Sequence, residues 1–69
     1  MQNNVETLRK ELKITQIELA EKLNVTRQTI SSIETGRYDP SITLAFKIAN
    51  FFGKPIEEIF FMEDESNDE

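Results

Sequence analysis

With 69 residues, 13 acidic and 8 basic side chains and a net charge of −5, the chain has room for one domain, which buries only about 60% of its unfolded surface. The absence of Cys and His excludes disulfide staples, the common zinc sites and the usual nucleophile–base pairs, so no catalytic residue, metal or cofactor is expected. No apolar run approaches the roughly 18 residues of a membrane span and no signal peptide is visible, which leaves no membrane partner and the cytoplasm as the expected location.

The first apolar stretch places Val5, Leu8 and Leu12 at helical spacing and predicts a helix over residues 5–12. Thr15 then precedes Gln16, with Glu18 three residues further on, the signature of a capping box at the start of a second helix. That helix carries Leu19, Ala20 and Leu23 on one face, with Ala20 small where a neighbouring backbone must come close. Asn24 stands where the chain reverses, and asparagine is the non-glycine residue that best tolerates positive φ. Val25 plugs the corner, Thr26 caps a third helix, and Ile30, Ile33 and Thr26 are expected to turn toward the same core. Residues 16–35, QIELAEKLNVTRQTISSIET, therefore read as a helix-turn-helix, whose second helix is offered to the major groove of DNA.

Gly36 is a stop signal, and residues 37–40 form a loop because the residue before Pro40 resists the helical conformation. Ser41 caps a fourth helix with Ile42, Ala45, Ile48, Ala49 and Phe52 on one face, and Gly53 ends it. Pro55 opens a short fifth helix, PIEEIF. Phe51 lies about 100° from Phe52 and shares a flanking stripe with Leu44. Phe60, Phe61 and Met62 are expected to form a short strand or clamp that pairs with the N-terminal residues. The clustered apolar residues Leu44, Phe51, Ile59, Phe60, Phe61 and Met62 suggest a homodimer interface, against the alternative that they cover the far side of a small core. Five of the acids fall in EDESNDE at 63–69. This divides the chain into a charge-neutral domain, 1–62, and a disordered acidic tail that either solubilises the protein or competes with phosphate for its basic surface.

The segments TQIELAEKL and VTRQTISSIETGR, together with the PS that opens the fourth helix, resemble the Cro/CI-type helix-turn-helix family, also called the xenobiotic-response-element family. The likeness covers residues 5–60 and is greatest to small stand-alone repressors such as the cytolysin repressor. It implies an all-α, five-helix, lambda-repressor-like DNA-binding domain with a helix-turn-helix and a short C-terminal β segment. Such a protein regulates transcription, as a repressor by default, by binding double-stranded DNA as a homodimer on a near-palindromic operator. One departure is Asn24, where many members carry glycine; asparagine tolerates the same conformation.

By this resemblance the third helix reads DNA. Arg27 suits guanine O6 and N7, Gln28 suits adenine N6 and N7, and Thr29 and Ser32 reach bases farther along, with Ser31 a weaker candidate. Gln16 resembles the family glutamine that holds the phosphate backbone; Thr26, Arg37 and Tyr38 are further phosphate candidates, Lys13 and Lys10 weaker ones. Arg9 and Glu34 stand where family members carry a structural ion pair between the first and third helices. Glu57 and Glu58 are adjacent, hence on different sides of a helix, and read as a charge preference of a helix start. The competing function is an antitoxin-like or other interaction module that mainly captures a protein partner.

Overall fold

Five helices and a two-stranded ribbon make up the computed structural model, which describes residues 1–62. In chain order they are β1 (Gln2–Asn3), α1 (Val5–Glu11), α2 (Gln16–Leu23), α3 (Arg27–Glu34), α4 (Ile42–Phe52), α5 (Ile56–Ile59) and β2 (Phe60–Phe61). The acidic stretch read as a disordered tail, 63–69, lies outside the described residues.

Side-chain caps set where three of the helices begin. The Thr15 hydroxyl accepts from the Glu18 amide at 3.0 Å while the Glu18 carboxylate accepts from the Thr15 amide at 2.8 Å, so two otherwise orphaned donors are satisfied reciprocally. Thr26 accepts from the Thr29 amide at 3.2 Å and Ser41 from the Leu44 amide at 3.1 Å. Each such cap is worth about 1 kcal/mol. Thr26 is exposed rather than turned into the core, because its hydroxyl must face the open amides of the first turn.

One device ends four of the helices. Lys13, Asn24, Gly36 and Gly53 adopt positive φ of 60°, 60°, 82° and 68°. The amide after each reaches back five residues: Ile14 to the Arg9 carbonyl, Val25 to Ala20, Arg37 to Ser32 and Lys54 to Ala49. This is the Schellman closure, which satisfies carbonyls that a helix end would otherwise strand. Lys13 carries no sequence signal for it, since lysine has neither glycine's freedom nor asparagine's local hydrogen bonding. A left-handed side chain costs about 1–2 kcal/mol, against about 0.5–1 kcal/mol of extra chain entropy for glycine. Lys13→Gly is therefore expected to stabilise the fold by up to about 1 kcal/mol, read as a higher urea midpoint; a lower midpoint would contradict the strain.

Each helix sends at least one fully buried side chain to a common core: Val5, Leu19, Ile30 with Ile33, Ile48, and Ile59. Three elements differ from the sequence expectation. α1 stops one residue early, leaving Leu12 as its cap and exposed. α4 buries Leu44, Ala45, Ile48 and Ala49, while Ile42 is 71% exposed and Phe51 and Phe52 pack edge to face, half-buried, with ring centroids 5.1 Å apart. The apolar residues of α4 cover more than one stripe, and packing against α2 and α5 selects among them. α5 begins after Pro55, which serves as its extended N-cap, and ends before Phe60, whose backbone turns to φ −117°, ψ 138°.

That turn makes the ribbon. β2 pairs antiparallel with β1 in the register Gln2↔Phe61 and Asn3↔Phe60, and the Asn4 amide extends the ladder to the Ile59 carbonyl at 2.9 Å. Successive strand residues face opposite sides, so Phe60 enters the core while Phe61 stays 38% exposed. Of the residues expected at a homodimer interface, Leu44, Ile59 and Phe60 belong to the core of the single chain, at 7%, 0% and 7% exposure. Phe61 and Met62 remain available, and Phe51 does so in part.

Candidate nucleic-acid interface

α2 and α3 pack against each other across the turn that joins them. Ala20 is buried at their contact, Asn24 makes the left-handed reversal and Val25 is half-buried behind it. With Ile30 and Ile33 committed to the core, the opposite side of α3 is left to polar residues. Gln28 and Ser32 each lie two residues from Ile30, about 200° around the helix, and Gln28 Nε2 stands 3.5 Å from Ser32 Oγ. Arg27 and Gln28 are exposed in the first turn; Thr29, Ser31 and Ser32 are half-buried. The Thr26 and Thr29 hydroxyls are 3.1 Å apart, so the cap and the first turn share one hydrogen-bonded unit.

Around this surface lie the residues read as phosphate contacts. Arg37 and Tyr38 are exposed just past α3, and both their amides donate to the Ser32 carbonyl, at 3.1 and 3.2 Å. Their side chains therefore leave from backbone tied to the helix. Lys13 is exposed in the turn between α1 and α2. Lys10 instead pairs with Glu6 one turn away at 2.9 Å, and hydrogen bonding to Lys10 lowers the Glu6 carboxyl below its ordinary pKa.

Beneath these residues, Arg9 from α1 donates through Nε to Glu34 Oε2 at 2.7 Å and through Nη2 to Oε1 at 3.2 Å. Its Nη1 donates to the Ile14 carbonyl at 2.9 Å. The two side chains are only 10% and 3% exposed. Hydrogen bonding to Glu34 raises the Arg9 pKa above its ordinary value, although burial works the other way. The cluster has a third member that sequence reasoning missed: Gln16 Nε2 donates to Glu34 Oε1 at 2.9 Å. The two lie 18 residues apart, and no helical or strand spacing links them. Asn3 was missed for the same reason. Its amide donates to the Ile33 carbonyl at 2.9 Å and its Oδ1 accepts from the Val5 amide at 3.0 Å, tying the ribbon to the end of α3.

Among the described residues, no group of acidic or other ligating side chains is placed to hold a metal ion, and no helix is long and apolar enough to cross a membrane. A capped helix-turn-helix with a polar, outward first turn defines a DNA-binding module. The family model described as Helix-turn-helix matches residues 5–59, and the chain belongs to that family as a Cro/CI-type helix-turn-helix DNA-binding protein rather than an enzyme. It is 55% identical over 65 residues to an uncharacterized HTH-type transcriptional regulator of Methanocaldococcus jannaschii, covering 94% of this chain and 98% of that one. It is 38% identical over 55 residues to the immunity repressor protein of Bacillus phage phi105, covering 80% of this chain but 38% of the phage protein. A transcriptional regulator from Listeria innocua superposes with a TM-score of 0.77 at 27% identity, covering 99% of this chain and 68% of that one.

Proposed function

We propose that the protein is a sequence-specific transcriptional repressor that acts in the cytoplasm and binds a near-palindromic operator as a homodimer. The observation that carries this reading is the capped first turn of α3, which holds Arg27 and Gln28 outward on a helix anchored by Ile30 and Ile33. Arg27, Gln28, Thr29 and Ser32 contact bases; Gln16, Thr26, Arg37, Tyr38 and Lys13 hold phosphates. Self-association is supported by an apolar groove of about 290 Å³ bordered by Pro40, Ile42, Ile56, Phe61 and Met62, where Ile42 and Met62 are 71% and 78% exposed. A dimer through this face reads two half-sites about one helical turn, roughly 34 Å, apart.

Selection from a random duplex library at about 150 mM salt, where non-specific phosphate binding is weak, tests the reading. A palindromic motif is the expected result. A single half-site would remove the dimer, and no enrichment from folded protein would favour capture of a protein partner instead. On the selected duplex, Arg27→Ala is expected to cost about 1–3 kcal/mol and relax preference at one base step, whereas Arg37→Ala weakens all sequences alike. Equal losses on selected and random duplexes for both variants would overturn this division of roles.

A further inference from the structure

Resting on the DNA reading above, we infer that Glu34 is a positioning residue for phosphate binding: its carboxylate orients the side-chain amide of Gln16 at the start of α2. A carboxylate only accepts hydrogen bonds, so Gln16 must turn its NH2 group, not its carbonyl, toward Glu34 Oε1, which it meets at 2.9 Å. One N–H is consumed there. The other leaves the same nitrogen at about 120° and makes no hydrogen bond among the described residues, so it is left for an acceptor such as a phosphate oxygen. Unheld, a glutamine amide presents its carbonyl as readily as its NH2, and the carbonyl repels phosphate. Glu34 removes that choice before DNA arrives, and a hydrogen bond to an ionised acceptor is strong enough to do so.

An acid beneath a phosphate site would by itself oppose the ligand. Arg9 cancels it: the guanidinium takes both Glu34 oxygens, at 2.7 and 3.2 Å, and the pair is nearly closed to solvent. Glu34 therefore contributes direction to Gln16 without contributing net charge. Because Glu34 ends α3 and Gln16 begins α2, this hydrogen bond also sets the phosphate contact relative to the helix that reads bases.

The test uses the full chain, the selected duplex and a random-sequence duplex, with Gln16→Ala, Glu34→Asp and the double variant, each checked for folding by thermal melting. Gln16→Ala is expected to weaken binding to both duplexes about tenfold. Glu34→Asp keeps the charge for Arg9 but withdraws the carboxylate from Gln16, so it should weaken both duplexes by a similar factor without changing the salt dependence. In the Gln16→Ala background it should add nothing. Losses that multiply would overturn the inference while leaving the DNA reading intact; no binding by the unaltered protein would overturn both. A second measurement needs no substitution. In the DNA-free protein, the Gln16 side-chain NH2 should be rigid in ¹⁵N relaxation, unlike that of exposed Gln2. Equal mobility of the two would defeat the inference even if Glu34→Asp fails to fold.

Discussion

Replacing Arg9 by alanine is expected to remove about 3–5 kcal/mol of folding stability, the usual penalty for leaving one member of a buried ion pair uncompensated. Here the stranded group is Glu34, whose side chain is 3% exposed and would keep only its hydrogen bond from Gln16. A domain of this size holds roughly 3–10 kcal/mol in total, so the loss amounts to about a third of the stability or more. Urea denaturation followed by helical circular dichroism measures the loss; a value below about 1 kcal/mol would mean that the pair behaves as a solvated surface bridge. The control is Arg9→Met combined with Glu34→Leu, which removes both charges and is expected to recover most of the stability. The pH dependence follows from the direction of the shift. Arg9 is more basic in the folded chain, so its contribution is complete below the ordinary arginine pKa and is lost only as pH rises through the still higher folded value. No decline from Arg9 is therefore expected between pH 5 and 9, a range that lies far below the ordinary arginine value.

Ile59→Ala is the second large effect, about 2–5 kcal/mol, because the side chain is fully buried beside the ribbon and its removal leaves a cavity in a packed core. An Ile59 that served only a dimer interface would behave otherwise, leaving the stability of the single chain unchanged while raising the dimer dissociation constant. Comparing Ile59→Ala with Met62→Ser separates the two. Met62 is 78% exposed, so its replacement should alter sedimentation at micromolar concentration with little change in the unfolding of the dilute protein. If Ile59→Ala instead leaves the urea midpoint in place, its assignment to the core is wrong.

The local rules carried much of the fold. Thr15 with Glu18, Thr26 and Ser41 announce helix starts because a hydroxyl placed one residue before a helix finds its amide three residues on. Asn24, Gly36 and Gly53 announce stops because they accept positive φ. Lys13 stops α1 in the same way, with φ of 60°, and no propensity of lysine reveals it. The polar first turn of α3 was equally legible, since Ile30 and Ile33 at helical spacing leave Arg27 and Gln28 no place inside.

Residue type and spacing therefore determined the helix starts, three of the four left-handed stops, the helix-turn-helix and the side of α3 that faces outward. These depend on interactions within about five residues of chain. Only the tertiary structure decided which stripe of α4 is buried, that Leu44, Ile59 and Phe60 belong to one chain's core, and that Gln16 meets Glu34. α4 has apolar residues on more than one side, and Phe60 and Phe61 are interchangeable until strand pairing assigns them opposite faces. Gln16 and Glu34 come together only because α2 packs against α3, and α3 in turn against α1, which carries Arg9 to the same point. Contacts of that kind depend on how whole elements are placed in space, and no sequence periodicity records it.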